Sequence, residues 1–241
     1  MTRTVLRISG PDREPFLHGL TTRDVPEDGL GYAALLTPQG KYLADFLTFC
    51  DDDALFLDVH SDLAPGLTQR LTMYRLRAKV AIETTDLVPS RSITARPGTF
   101  HDPRPGMGWV SYDGAPEAEV DWDEIRVENL IPATGIELIP NETFILEMGF
   151  ERLQGVDFKK GCFVGQEIVA RMKHKTELRK GLARVAFDGT IAPGTEITAN
   201  GKPAGTIHTV SGNRALAYLR FDRAETMEAA GIPLTLDARA P

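Results

Sequence analysis

The chain has 241 residues, of which 42% are hydrophobic and 25% charged, with a formal net charge of -7 and a pI near 5.3. This is the composition of a soluble globular protein with a sizeable core, and its acidity excludes a general nucleic-acid-binding surface, though a local basic patch can still act. No stretch approaches 18 consecutive apolar residues and no apolar leader opens the chain, so neither a membrane span nor a signal peptide is expected. Two distant cysteines, Cys50 and Cys162, make no disulfide framework and suit a reducing compartment, so a cytoplasmic location is expected.

Residues 1–86 read as an α+β unit. The segment Pro11 to Leu20 has Phe16, Leu17 and Leu20 on one helical side. Tyr32 to Leu36 and Tyr42 to Phe49 read as strands joined by the turn Pro38-Gln39-Gly40-Lys41, and Ala54 to Val59 is a third strand. Ser61 is a plausible N-cap for a helix carrying Leu63, Leu67, Leu71 and Tyr74. Leu76 to Ile82 then alternates apolar residues with Arg75, Arg77 and Lys79, which predicts a strand with three cations on one face. Such a face is a solvated surface or a site for an anionic ligand.

Residues 87–181 form a second region, broken early by Arg96-Pro97-Gly98 and Pro103-Arg104-Pro105-Gly106. Trp109 to Tyr112 reads as a strand, and Asp121 to Leu130 as a helix with Trp122, Ile125 and Leu130 on one side. Near its end stands Phe158-Lys159-Lys160-Gly161-Cys162-Phe163-Val164-Gly165-Gln166-Glu167, followed by a helical run. A thiol beside ammonium groups and ahead of a helix N-terminus has a stabilised thiolate, which makes Cys162 a candidate reactive group. A lone cysteine beside Phe163 and Val164 is also the pattern of a small buried hydrophobe. Gly161 and Gly165 permit a tight loop, and Glu167 would sit favourably in the first helical turn. Between Arg171 and Lys180 lie Arg171, Lys173, Lys175, Arg179 and Lys180 against Glu177 alone, a local basic excess that is either a solvated face or a binding patch.

Residues 182–241 read as all-β. Asp188-Gly189, Pro193-Gly194, Asn200-Gly201 and Gly212-Asn213 punctuate short strands, which predicts a small antiparallel barrel. The five histidines are scattered, with no metal-ligand spacing, and no phosphate-binding glycine motif is present. No metal site is expected, and one signature cysteine cannot supply the four thiolates that usually hold an iron–sulfur cluster.

Lys160-Gly161-Cys162-Phe163-Val164-Gly165-Gln166-Glu167 resembles the K-G-C-[FY]-x-G-Q-E signature of the YgfZ family, folate-binding proteins related to the glycine cleavage T-protein, an aminomethyltransferase. The resemblance extends to Leu6 through Val25, to Leu36-Thr37-Pro38-Gln39-Gly40-Lys41, to Tyr74 through Val80 and to His101-Asp102-Pro103-Arg104. It implies a T-protein-like α+β fold with a shortened middle region and a C-terminal antiparallel barrel. It also implies a tetrahydrofolate-binding accessory factor for assembly or repair of iron–sulfur proteins. Cys162 and Lys160 would then be the working residues, with Gly161, Gly165, Gln166 and Glu167 shaping the loop or touching the ligand. Trp122 would be a stacking wall, and Arg75 and Arg77 would receive the anionic tail of a reduced folate. Iron–sulfur client or assembly proteins would be the partners. The alternative is an aminomethyltransferase that moves a one-carbon unit to tetrahydrofolate. The acidic residue of the T-protein has no clear match at Val59-His60-Ser61-Asp62, and the T-protein lacks the K-G-C signature.

Overall fold

The computed structural model describes residues 2–175 and 178–240. Its first unit is an antiparallel sheet of β1 (Arg3–Ser9), β2 (Gly31–Leu36), β3 (Tyr42–Cys50), β4 (Ala54–His60) and β5 (Ala81–Thr84), in the order β2-β3-β4-β1-β5. Helices α1 (Arg13–His18) and α2 (Ala64–Arg75) complete it. Every residue of β2 is buried, because both faces of the sheet are covered. Successive side chains alternate between faces. Ala33, Leu35, Phe46 and Leu57 pack against Leu17 of α1 and Leu71 of α2, whereas Tyr32, Ala34, Leu36 and Leu47 face the rest of the chain.

Asp45 lies opposite Ala34, and Asp58 opposite Val5 and Leu47, so both carboxylates project from that second face. Against it packs the middle region: β6 (Ser90–Ser92), β7 (Phe100–His101) and β8 (Trp109–Ser111), in the order β6-β8-β7, and α3 (Trp122–Asn129). The side chain of Asp121 caps α3 by accepting from the backbone N–H of Asp123 and Glu124 at 3.0 and 3.1 Å.

The helix α4 (Gln166–Lys175) leads into β9 (Lys180–Phe187), β10 (Glu196–Ala199), β11 (Lys202–Ser211), β12 (Arg214–Arg220), β13 (Met227–Ala229) and β14 (Ile232–Arg239). These six strands close into a barrel in the order β10-β11-β12-β9-β14-β13. Asn200 and Gly201 join β10 to β11 with φ of 51° and 72°, the paired left-handed conformations that a two-residue hairpin turn requires. Buried Glu137 fastens the barrel to the middle region, accepting from the N–H and hydroxyl of Thr209 on β11 and from the N–H of Ala133. The expected α+β architecture with a C-terminal antiparallel barrel is present.

Residues 76–80 depart from the sequence reading. Arg75 ends α2, and Leu76 turns the chain with φ of 43° while standing 87% exposed. Strand pairing begins only at Ala81. Arg75, Arg77 and Lys79 therefore form no cationic strand face.

Candidate functional site

A cavity of about 390 Å³ lies between the inner face of the first sheet and the middle region. That volume is in the range of small-molecule sites. Asp45 and Asp58 from the sheet, Arg91 and Arg104 from the middle region, Trp122 from α3 and Thr134 from the loop beyond are among its walls.

Asp45 is 4% exposed and accepts hydrogen bonds from the hydroxyls of Tyr32 at 2.9 Å and of Tyr42 and Thr134 at 2.7 Å each. Burial and the neighbouring carboxylate push both tyrosine hydroxyls far above their usual range, so they remain donors. Asp58 pairs with Arg3 at 2.7 Å. Arg104 grips Asp102 through two hydrogen bonds of 3.0 and 2.7 Å and lies over the Tyr32 ring at 4.8 Å, and Arg91 adds a third bond to Asp102 at 2.8 Å. Burial alone would raise the Asp102 carboxyl, but the two guanidiniums overcome it and hold it well below the usual carboxylate range. This is a rigid, charge-compensated wall.

Trp122 lines the cavity, as its assignment as a stacking wall requires, and its buried Nε1–H has no hydrogen-bond partner among the described residues. A donor left this way is costly unless something outside the protein accepts from it. Arg75 and Arg77, expected to receive an anionic tail, are exposed and do not line the cavity.

The signature loop is a separate feature of the surface, because none of its residues lines this cavity. Cys162 is exposed, so its thiol is open to a partner. The Lys160 side chain is 1% exposed and points inward. Its Nζ donates to the backbone carbonyls of His18 at 2.7 Å and Thr21 at 2.6 Å and lies 3.2 Å from Asp24. Burial lowers its pKa, and Asp24 offsets part of that. The expectation was a working ammonium beside the thiol; in the structure the ammonium ties the loop to the end of α1 and the turn after it. His18, held by Asp24 at 2.9 Å, packs so closely on Gly161 that a Cβ there would come within 2.9 Å of its Nε2. Gly165, at φ of 85°, rests on the β2–β3 turn. Gln166 Nε2 donates to the Gly161 carbonyl at 3.3 Å, closing the loop, and Glu167 meets Arg171 at 3.4 Å on the exposed side of α4.

In the basic run, Lys173 pairs with Glu151 and Lys180 lies 3.9 Å from Glu147. The Lys175 side chain and Glu177 lie outside the described residues. Sequence reasoning missed Asp45, Asp58 and Arg91. The available signal was a lone aspartate within an apolar strand, twice over, at Tyr42 to Phe49 and Ala54 to Val59.

A family model described as CAF17, C-terminal beta-barrel domain, matches residues 179–240. The iron–sulfur cluster assembly factor IBA57, mitochondrial, of Mus musculus is 32% identical over 91% of this chain and 76% of its own length. The protein of the same name from Homo sapiens is 30% identical over 90% and 75%. Among solved structures, the glycine cleavage system aminomethyltransferase T from Bartonella henselae superposes with a TM-score of 0.73, covering 98% of this chain and 83% of that one at 13% identity, which is a likeness of fold. The relatives also overturn the cytoplasmic location expected from the sequence, since they are named as mitochondrial proteins. Two unpaired cysteines are compatible with either compartment and do not distinguish cytosol from mitochondrial matrix. At this identity and coverage, the chain belongs to the family of the iron–sulfur cluster assembly factor IBA57.

Proposed function

We propose that this chain serves iron–sulfur cluster assembly and binds a reduced folate, tetrahydrofolate or a derivative, in the cavity beside Trp122. Membership of the IBA57 family supports the first half. One observation carries the second: Trp122, whose buried indole N–H has no partner among the described residues, and the buried Asp45 both line one cavity. A carboxylate offers about four acceptor positions, and three hydroxyls use three of those on Asp45. A flat pterin suits this wall, with amide and amino N–H donors for Asp45 and a ring face for Trp122. The eight-residue signature supports placing the chain in the wider YgfZ group.

The Cys162 loop is the docking point for iron–sulfur client or assembly proteins in this reading. One exposed thiol leaves the other ligands of any transferred cluster to the partner or a small thiol. The transferase alternative is not adopted, because the T-protein likeness is one of fold alone.

The test is anaerobic titration calorimetry with tetrahydrofolate, read in parallel by fluorescence of a Trp109→Phe variant whose remaining tryptophan is Trp122. Saturable binding with quenching is expected. Absence of both removes the folate half of the proposal. Loss of support for iron–sulfur enzymes by a folded Cys162→Ser variant is the matching expectation for the other half, and full support would remove it.

A further inference from the structure

Between Arg104 and Arg126 the chain carries six carboxylates, Asp113, Glu117, Glu119, Asp121, Asp123 and Glu124, and no lysine or arginine. The structure lays part of this stretch along the cavity. Glu117, Asp121 and Asp123 line it and are exposed, so they stand at its opening. The N–H of Ala118 donates to the Arg91 carbonyl at 2.9 Å and holds this lip against β6.

The cations of the cavity are already committed. Arg3 pairs with Asp58 at 2.7 Å, Arg91 and Arg104 with Asp102 at 2.8 and 2.7 Å, and Arg126 with Glu137 at 3.4 Å. Asp123 shares Arg126 at 3.3 Å, whereas Glu117 and Asp121 have no cation within ion-pair distance among the described residues. A deep wall of compensated charge thus opens through an uncompensated acidic rim. Arg75, Arg77 and Lys79 do not line the cavity and form no strand face that could offset it.

We infer that this rim sets ligand specificity: the cavity accepts a reduced folate with a single glutamyl residue and discriminates against polyglutamyl forms. The inference rests on the folate reading. Each additional glutamyl unit adds a carboxylate that leaves the cavity through the acidic mouth. An opening lined by one sign of charge in a low-dielectric wall concentrates its field there. At physiological ionic strength the field of the rim decays over about 8 Å.

The experiment compares 5-formyltetrahydrofolate in its monoglutamyl and pentaglutamyl forms by calorimetry on the full chain, at low and physiological salt. The monoglutamyl form is expected to bind about tenfold more tightly at low salt, with the gap narrowing as salt rises. A triple variant, Glu117→Gln, Glu119→Gln and Asp121→Asn, should narrow the same ratio at low salt; asparagine retains the helix-capping acceptor. Equal or tighter binding of the pentaglutamyl form overturns the inference and leaves the folate reading standing. A ratio unmoved by the triple variant also overturns it. Failure of both forms to bind removes the folate reading itself, and the rim's selectivity with it.

Discussion

Gly40 and Gly165 meet with no side chain between them. A Cβ on Gly165 would stand 3.1 Å from the Gly40 Cα and 2.6 Å from the Thr37 carbonyl oxygen. A Cβ on Gly40 would in turn enter the Ile168 side chain at 2.8 Å. Both residues have positive φ, 73° and 85°. The second glycine of the signature is thus required by the turn between β2 and β3, which seats the first turn of α4. Gly165→Ala should cost roughly 2–4 kcal/mol, from left-handed strain and a backbone clash together. Urea denaturation measures this, and a loss below about 0.5 kcal/mol would contradict the contact.

Lys160→Met should destabilise the protein by about 2–3 kcal/mol. It removes the ammonium from the carbonyls of His18 and Thr21 and leaves Asp24 without that partner. Lys160→Arg should not rescue fully, because a planar fork does not reproduce a point charge held between two carbonyls. Thermal unfolding of the two variants checks both statements. Wild-type stability in Lys160→Met would restore the working role first expected of this lysine.

Asp102 sets an acid limit on stability. Its folded carboxyl titrates well below its unfolded counterpart, so its contribution is complete above the ordinary carboxylate range near pH 4 and is lost as pH falls towards the folded value. Asp102→Asn strands Arg91 and Arg104, at a cost of about 3–5 kcal/mol at neutral pH. Urea midpoints between pH 7 and pH 3 should show a shallower acid decline in this variant than in the wild type. Parallel declines would refute the assignment.

The two cysteines should differ in reactivity. Burial, with Asp51 and Asp28 nearby, raises the Cys50 thiol, and its Sγ donates to the Pro26 carbonyl at 3.3 Å. Cys162 is exposed on the loop. Native protein treated with iodoacetamide at neutral pH should label Cys162 about tenfold faster or more. Equal rates, read by peptide mass mapping, would count against an accessible signature thiol.

The first sheet was legible because apolar runs of strand length flank the turn Pro38-Gln39-Gly40-Lys41. Trp122, Ile125 and Leu130 announced α3 by their helical spacing, and Asn200-Gly201 announced a barrel hairpin. Residues 75–80 misled because period two describes a strand only where a neighbour pairs with it, and β1 offers partners from Ala81 onward. The cavity was only partly legible. Trp122 stands out in sequence, but Asp45 and Asp58 acquire meaning only when antiparallel register turns them to one face beneath the middle region. The direction of the Lys160 side chain depends on the carbonyls of His18 and Thr21, which no local pattern around the signature reveals.

The reach of Lys160 also imposes an order on folding. Its hydrogen-bond acceptors lie 142 and 139 positions earlier in the chain. During synthesis the end of α1 must wait, its carbonyls facing water, until the signature has emerged. Closing so long a loop is entropically slow, and the sheet strands pair over far shorter separations. Amide protection around Gly161 should therefore lag that of β3 and β4 in refolding. The loop that carries the exposed Cys162 is therefore set in place only after two segments far apart in the chain have found each other.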